Sequence, residues 1–141
     1  CSYLASGGTD WNAEFRRYTQ NKENYTDSLI LLSTGYYSGL SPEEVGLPPE
    51  IWKEASGEIR KYHELTHFIY RKCYPGDIQV IRDEVLADCV GLCAAFDRYD
   101  ASLARKLLGL DNGTLRPDAR LRHYVPEDVL PQAMNEVWRN Y

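Results

Sequence analysis

The break Tyr74-Pro75-Gly76-Asp77, set between two long segments of helical periodicity, restricts the fold of this chain more than any other feature. Before it, Pro48 and Pro49 introduce a run in which Ile51, Ala55, Ile59, Tyr62, Ile69 and Cys73 recur at mostly three- and four-residue steps, which predicts one long helix with that stripe buried. Proline cannot continue the hydrogen-bond ladder, so the helix ends there, and Asp77 is placed to cap a second helix from Ile78 to Arg98. The expected inner face of the second helix is Ile78, Ile81, Val85, Cys89, Leu92, Cys93 and Phe96. A link this short folds the two back on each other as a helical hairpin.

Elsewhere the signals are local. Ser28 to Thr34, an aliphatic run between Asp27 and Gly35, reads as a buried strand, the principal one, continued by Tyr36 and Tyr37. Ser41-Pro42-Glu43-Glu44 is a capping box, with Gly46 as the stop of a single helical turn. Thr9 or Asp10 caps a short helix from Trp11 to Tyr18, and Asp100 caps a third helix closed by Gly109. Asp111-Asn112-Gly113 is a turn, and the tail from Pro126 to Tyr141 is helical with Pro131 kinking or restarting it. The expectation is a predominantly helical α+β fold with a small sheet, formed as a single domain over residues 1–141, with further sequence before Cys1.

Charge and composition exclude several function classes. Sixteen Lys and Arg against 21 Asp and Glu leave a net charge of -5 with the basic residues scattered, which is the wrong footprint for nucleic acid. The longest apolar runs, Leu29 to Leu32 and Val90 to Phe96, are far shorter than the roughly 18 to 20 residues of a membrane span. Cys1, Cys73, Cys89 and Cys93 are too few and too irregular for a disulfide framework, so a reducing, cytoplasmic setting is expected, with Cys89 and Cys93 as small core hydrophobes.

The chemistry lies on the hairpin. Residues 63–67 read His63-Glu64-Leu65-Thr66-His67, the HExxH pattern, inside the first long helix. A four-residue step puts both imidazoles on one face, where they can hold one Zn²⁺, while Glu64, about 100° around, lies beside the ion as a general base. With a rise of about 1.5 Å per residue, His67 is about 10 Å back from the bend and Glu84 about 9 Å forward of it. His63 and Asp88 match in the same way, at about 16 and 15 Å. Glu84 is thereby placed as the third ligand, and Asp88 as the acceptor of the outer N–H of His63. Small residues Gly91 and Ala95 continue the Glu84 stripe opposite Ser56 and Gly57, which lets the helices approach closely.

HELTH followed by Glu84-Val85-Leu86-Ala87-Asp88 resembles the gluzincins, zinc metallopeptidases with an HExxH helix and a downstream ExxxD helix. The longer strings HELTHF and DEVLADCVGL are similar to an uncharacterised bacterial domain family; the resemblance covers residues 50–98. It implies a zincin-like fold, His63, His67 and Glu84 as zinc ligands, Glu64 as the catalytic carboxylate and Asp88 as the partner of His63. The sixteen residues between His67 and Glu84 are slightly fewer than in thermolysin-like enzymes, and no exopeptidase recognition motif is present.

The resulting expectation is a zinc-dependent hydrolase acting on a peptide or protein substrate. Tyr124 is the favoured oxyanion donor, ahead of His123, Tyr70 and Tyr74, and the principal strand offers its edge to an extended peptide. Two other readings keep the same fold. In one the domain holds zinc but binds a peptide or protein without cleaving it; in the other the metal only staples the hairpin, with protein filling its fourth position.

Overall fold

A computed structural model describes residues 6–24, 26–76 and 79–140. The chain divides between Ile30 and Leu31 into two units. In the N-terminal one, helix α1 (Trp11–Gln20) starts at Asp10, whose side chain accepts from the Ala13 N–H at 2.9 Å, and a 3-10 turn follows at Lys22–Asn24. No residue of α1 is buried.

The larger unit, from Leu31 on, has a 3-10 turn at Tyr37–Gly39 and then the turn-sized helix α2 (Pro42–Val45). Its capping box is complete: Ser41 Oγ accepts from the Glu44 N–H, and the Glu44 carboxylate accepts from the Ser41 N–H at 2.7 Å. Gly46 then ends it at φ 70°, a left-handed conformation that glycine reaches without strain. The hairpin is formed by α3 (Pro49–Cys73) and α4 (Val80–Phe96). Asp77 and Ile78, the expected cap and start of the second helix, lie outside the described residues.

The hairpin packs through faces that hydropathy alone misplaces. The buried stripe of α3 is Trp52, Ala55, Ser56, Ile59 and His63; Ile51, Ile69 and Cys73 are exposed. Aliphatic periodicity counts Ser56 and His63 as outward, yet each is satisfied inside: Ser56 Oγ accepts from the Tyr37 N–H at 2.9 Å, and His63 meets Asp88. Trp52 sets the face, its indole N–H donating to the Leu40 carbonyl at 2.7 Å. On α4 the buried residues are Ala87, Asp88, Gly91 and Leu92, whereas Cys93 is exposed and Cys89 only half-buried, which corrects their reading as core residues. The charged residues of α4 end at Asp88 and its second half is apolar on every side, so the pattern there selects no face. Gly91 does: a Cβ there would stand 2.7 Å from the Ile59 carbonyl oxygen, so only glycine permits this approach.

The expected principal strand is not one. Residues 28–34 have no secondary structure, and Leu29 and Leu31 are 86 % and 90 % exposed. A strand needs a partner for its backbone groups, and none of the described residues pairs with it. Arg60 instead donates to the Ser33 carbonyl at 3.0 Å and the Gly35 carbonyl at 2.9 Å.

Beyond the hairpin, α5 (Ala101–Leu107) is capped by Asp100, which accepts from the Leu103 N–H at 3.0 Å. Strands β1 (Leu110–Asp111) and β2 (Thr114–Leu115) pair antiparallel through Asn112-Gly113, both with positive φ as a tight hairpin turn requires. Residues Arg120–His123 form a 3-10 turn, and α6 (Leu130–Asn140) carries Pro131 at its start. One core gathers Tyr37, Leu40, Trp52, Ile59, Leu92 and Leu107; a second gathers Leu108, Leu110, Leu121, Leu130 and Val137. The fold is predominantly helical α+β with a two-stranded sheet, and no helix among the described residues is long and apolar enough to cross a membrane.

Candidate metal centre

The four-residue step along α3 turns both imidazoles toward α4, and their Nε2 atoms lie 3.1 Å apart. Glu84 reaches across from α4, with Oε1 3.3 Å from His67 Nε2 and Oε2 3.5 Å from His63 Nε2. Three potential ligand atoms therefore converge on one point. Tetrahedral ligands held about 2.0 to 2.1 Å from a zinc ion stand about 3.3 Å from each other, close to the 3.1 Å between the imidazole nitrogens and the 3.3 Å from His67 Nε2 to Glu84 Oε1. Two imidazole nitrogens and one carboxylate oxygen are also a donor set suited to zinc.

Asp88 settles the tautomer of His63. It is fully buried, and its Oδ1 lies 2.9 Å from His63 Nδ1. A carboxylate only accepts, so Nδ1 carries the proton and Nε2 offers its lone pair to the centre. The Tyr37 hydroxyl donates to the same oxygen at 2.8 Å, and Arg120 Nη2 donates to both Asp88 oxygens at 3.1 Å.

Arg120 ties the two acidic groups together, since Nη2 also reaches Glu84 Oε2 at 3.1 Å. A buried and a half-buried carboxylate beside each other need such a cation. Its Nε donates to the Tyr124 hydroxyl at 2.8 Å, and the Tyr124 O–H in turn donates to Glu84. Burial alone would raise the Glu84 pKa, but hydrogen bonds from His67 and Tyr124, with the charge of Arg120 beside them, outweigh it and hold the group down at about 2. Burial and the neighbouring Asp88 push the Tyr37 phenol up, and burial does the same for Tyr124 against the pull of Arg120, so both hydroxyls stay protonated donors.

Glu64 differs from the rest. It is exposed and pairs with no other side chain among the described residues. It lines an open pocket of about 340 Å³ together with His63, Tyr124, Arg60, Tyr37 and Leu31, so Glu64 and one of the two imidazoles border the same space.

Of the residues singled out on the hairpin, His63, His67 and Glu84 come together, Asp88 stands behind His63, and Glu64 shares a pocket lining with His63. Tyr124 arrives too, although its proton is directed at Glu84; donating to a substrate oxyanion requires exchanging that partner. Tyr70 accepts from Arg82 Nη2 and stacks near Tyr74, neither of which lines the pocket, and His123 is exposed. Sequence reasoning missed Tyr37 and Arg120. The need for a cation beside Glu84 and Asp88 was a signal, but no spacing singles out Arg120 among 16 basic residues.

A family model described as "Family of unknown function (DUF7005)" matches residues 3–140, and the chain belongs to that family. No curated protein and no solved structure matches the chain.

Proposed function

We propose that this member of a family of unknown function is a zinc-dependent hydrolase, a metallopeptidase in which His63, His67 and Glu84 hold the metal and Glu64 is the general base. The observation that carries the reading is the convergence of two imidazole nitrogens 3.1 Å apart with the Glu84 carboxylate, whose two oxygens lie 3.3 Å from His67 Nε2 and 3.5 Å from His63 Nε2, beside an unengaged carboxylate that lines an open pocket. Among the described residues no fourth His, Cys, Asp or Glu joins the three, which favours an open coordination position over a purely structural staple. Bound there, zinc supplies a Lewis acid that polarises a carbonyl and acidifies water.

The chain's own groups do the rest. Glu64 takes a proton from the attacking water as the new carbon–oxygen bond forms, and returns it to the amine nitrogen as the carbon–nitrogen bond breaks. Asp88 keeps the His63 proton on Nδ1, while Arg120 and Tyr124 hold Glu84 ionised and in place.

After zinc loading, about one ion per chain is expected, lost in Glu84→Ala. Glu64→Gln keeps the ion and lowers cleavage of a fluorogenic peptide library by about 10² to 10⁴-fold. Wild-type turnover in Glu64→Gln, or full zinc content in Glu84→Ala, sinks the proposal. A second reading, peptide binding without cleavage, is favoured by one observation: Leu31 and Ser33, from a segment with no strand partner among the described residues, line the pocket. Zinc-loaded wild type that binds library peptides and cleaves none selects it.

A further inference from the structure

The pocket lined by His63 and Glu64 carries two guanidinium groups, and their electrostatic situations differ. Arg120 is matched by Glu84 and Asp88. Arg60, half-buried on α3 one turn before His63, pairs with no carboxylate among the described residues. Its hydrogen bonds go to neutral acceptors, the carbonyls of Ser33 at 3.0 Å, Ser56 at 3.3 Å and Gly35 at 2.9 Å. These fix the guanidinium without cancelling its charge, and they use three of its five N–H groups. Both cations also lie near the Tyr37 ring, at 5.5 Å for Arg60 and 5.2 Å for Arg120, and all three residues line the pocket.

We propose that Arg60 anchors an anionic group of the substrate, so that the site takes peptides bearing a carboxylate close to the scissile bond; this rests on the metallopeptidase reading above. Glu64 lies four residues further along the helix, a rise of about 6 Å, and one extended peptide residue spans about 3.3 to 3.6 Å. The carboxylate therefore falls one or two residues from the bond that is cut. The anion gives Arg60 the direct ion pair that Glu64, the other unpaired charge on the pocket wall, does not make, and two N–H groups remain to receive it.

The test uses two zinc-binding probes on the zinc-loaded full chain, succinic monohydroxamate and its methyl ester, which differ only in the carboxylate. Isothermal titration of wild type is expected to show the acid binding at least about ten-fold tighter than the ester. In Arg60→Gln, which keeps a donor for the carbonyls, the ratio falls to about one with zinc content unchanged, and Arg60→Lys restores most of it. Equal affinities in wild type overturn the inference while leaving the metal reading intact. If neither probe binds, the metal reading fails and this inference with it. If Arg60→Gln also weakens the ester, the lysine variant decides: failure to recover the ratio makes Arg60 only a strap for residues 33–35. Competition by an N-acetyl alanyl-glutamate amide assigns the anion to a side chain, and competition by N-acetyl-alanyl-alanine assigns it to a chain terminus. Competition by neither overturns the proposal.

Discussion

The two halves of the α3–α4 hairpin are built differently. Toward the start of α3, Trp52, Ile59, Gly91 and Leu92 are buried and the helices touch closely enough that a single Cβ would collide. Toward the bend, Ile69, Cys73, Tyr74 and Val80 are exposed, and little apolar surface is removed from water. The ligand atoms sit where one regime passes into the other, with His63 buried and His67 and Glu84 half-buried. Packing positions the first half; the second depends on polar contacts, and on an ion when one is bound. A site at that boundary is rigid on one side and reachable on the other.

The largest expected effect comes from the polar junction itself. Asp88→Ala leaves Arg120, Tyr37 and His63 without their shared acceptor, and a loss of about 3–5 kcal/mol is expected in chemical denaturation. In the packed half, Ile59→Ala is expected to cost about 2–5 kcal/mol by the same measurement. Saturating zinc adds about 2.7 kcal/mol at a hundred times its dissociation constant. Hydrogen exchange locates that gain: chelation speeds the amides of 64–76 and 80–86 and leaves 52–59 and 91–96 protected. Uniform loss of protection would erase the distinction between the halves.

Smaller again is Gly91→Ala, at about 1–3 kcal/mol, because the added methyl meets backbone that cannot swing away. It should also weaken zinc binding, since the helices must separate where the site begins. Ile69→Ala stays within about 0.5 kcal/mol. A cost at Ile69 comparable to that at Ile59 would mean that the bend is packed after all.

What was legible in the sequence was set by short-range geometry. The HExxH spacing, the matching rungs at Glu84 and Asp88, the caps at Asp10, Ser41 and Asp100 and the turn at Asn112-Gly113 each depend on residues a few positions apart, or on a hairpin whose lengths can be counted. Residues 28–34 failed as a strand because pairing is a property of two segments, and β-branched or aliphatic character supplies only one. Rung counting put His63, Asp88, Ser56 and Gly91 on the facing sides, where they are buried; what failed was the apolar stripe through Ile51, Ile69, Cys73 and Cys93, because hydropathy alone does not rank an aliphatic side chain above a polar one that finds its partner.

By itself the sequence determined that two helices run antiparallel and carry two imidazoles and two carboxylates at the same levels, since helical rise and the break at Pro75 leave no other register. Only the tertiary structure decided which faces meet, and brought Tyr37 and Arg120 to the carboxylates from 51 and 32 residues away from Asp88. The physical reason is that a buried charge takes whichever partner the packing delivers, and packing is settled by the whole core, with Trp52 and Gly91 at its centre.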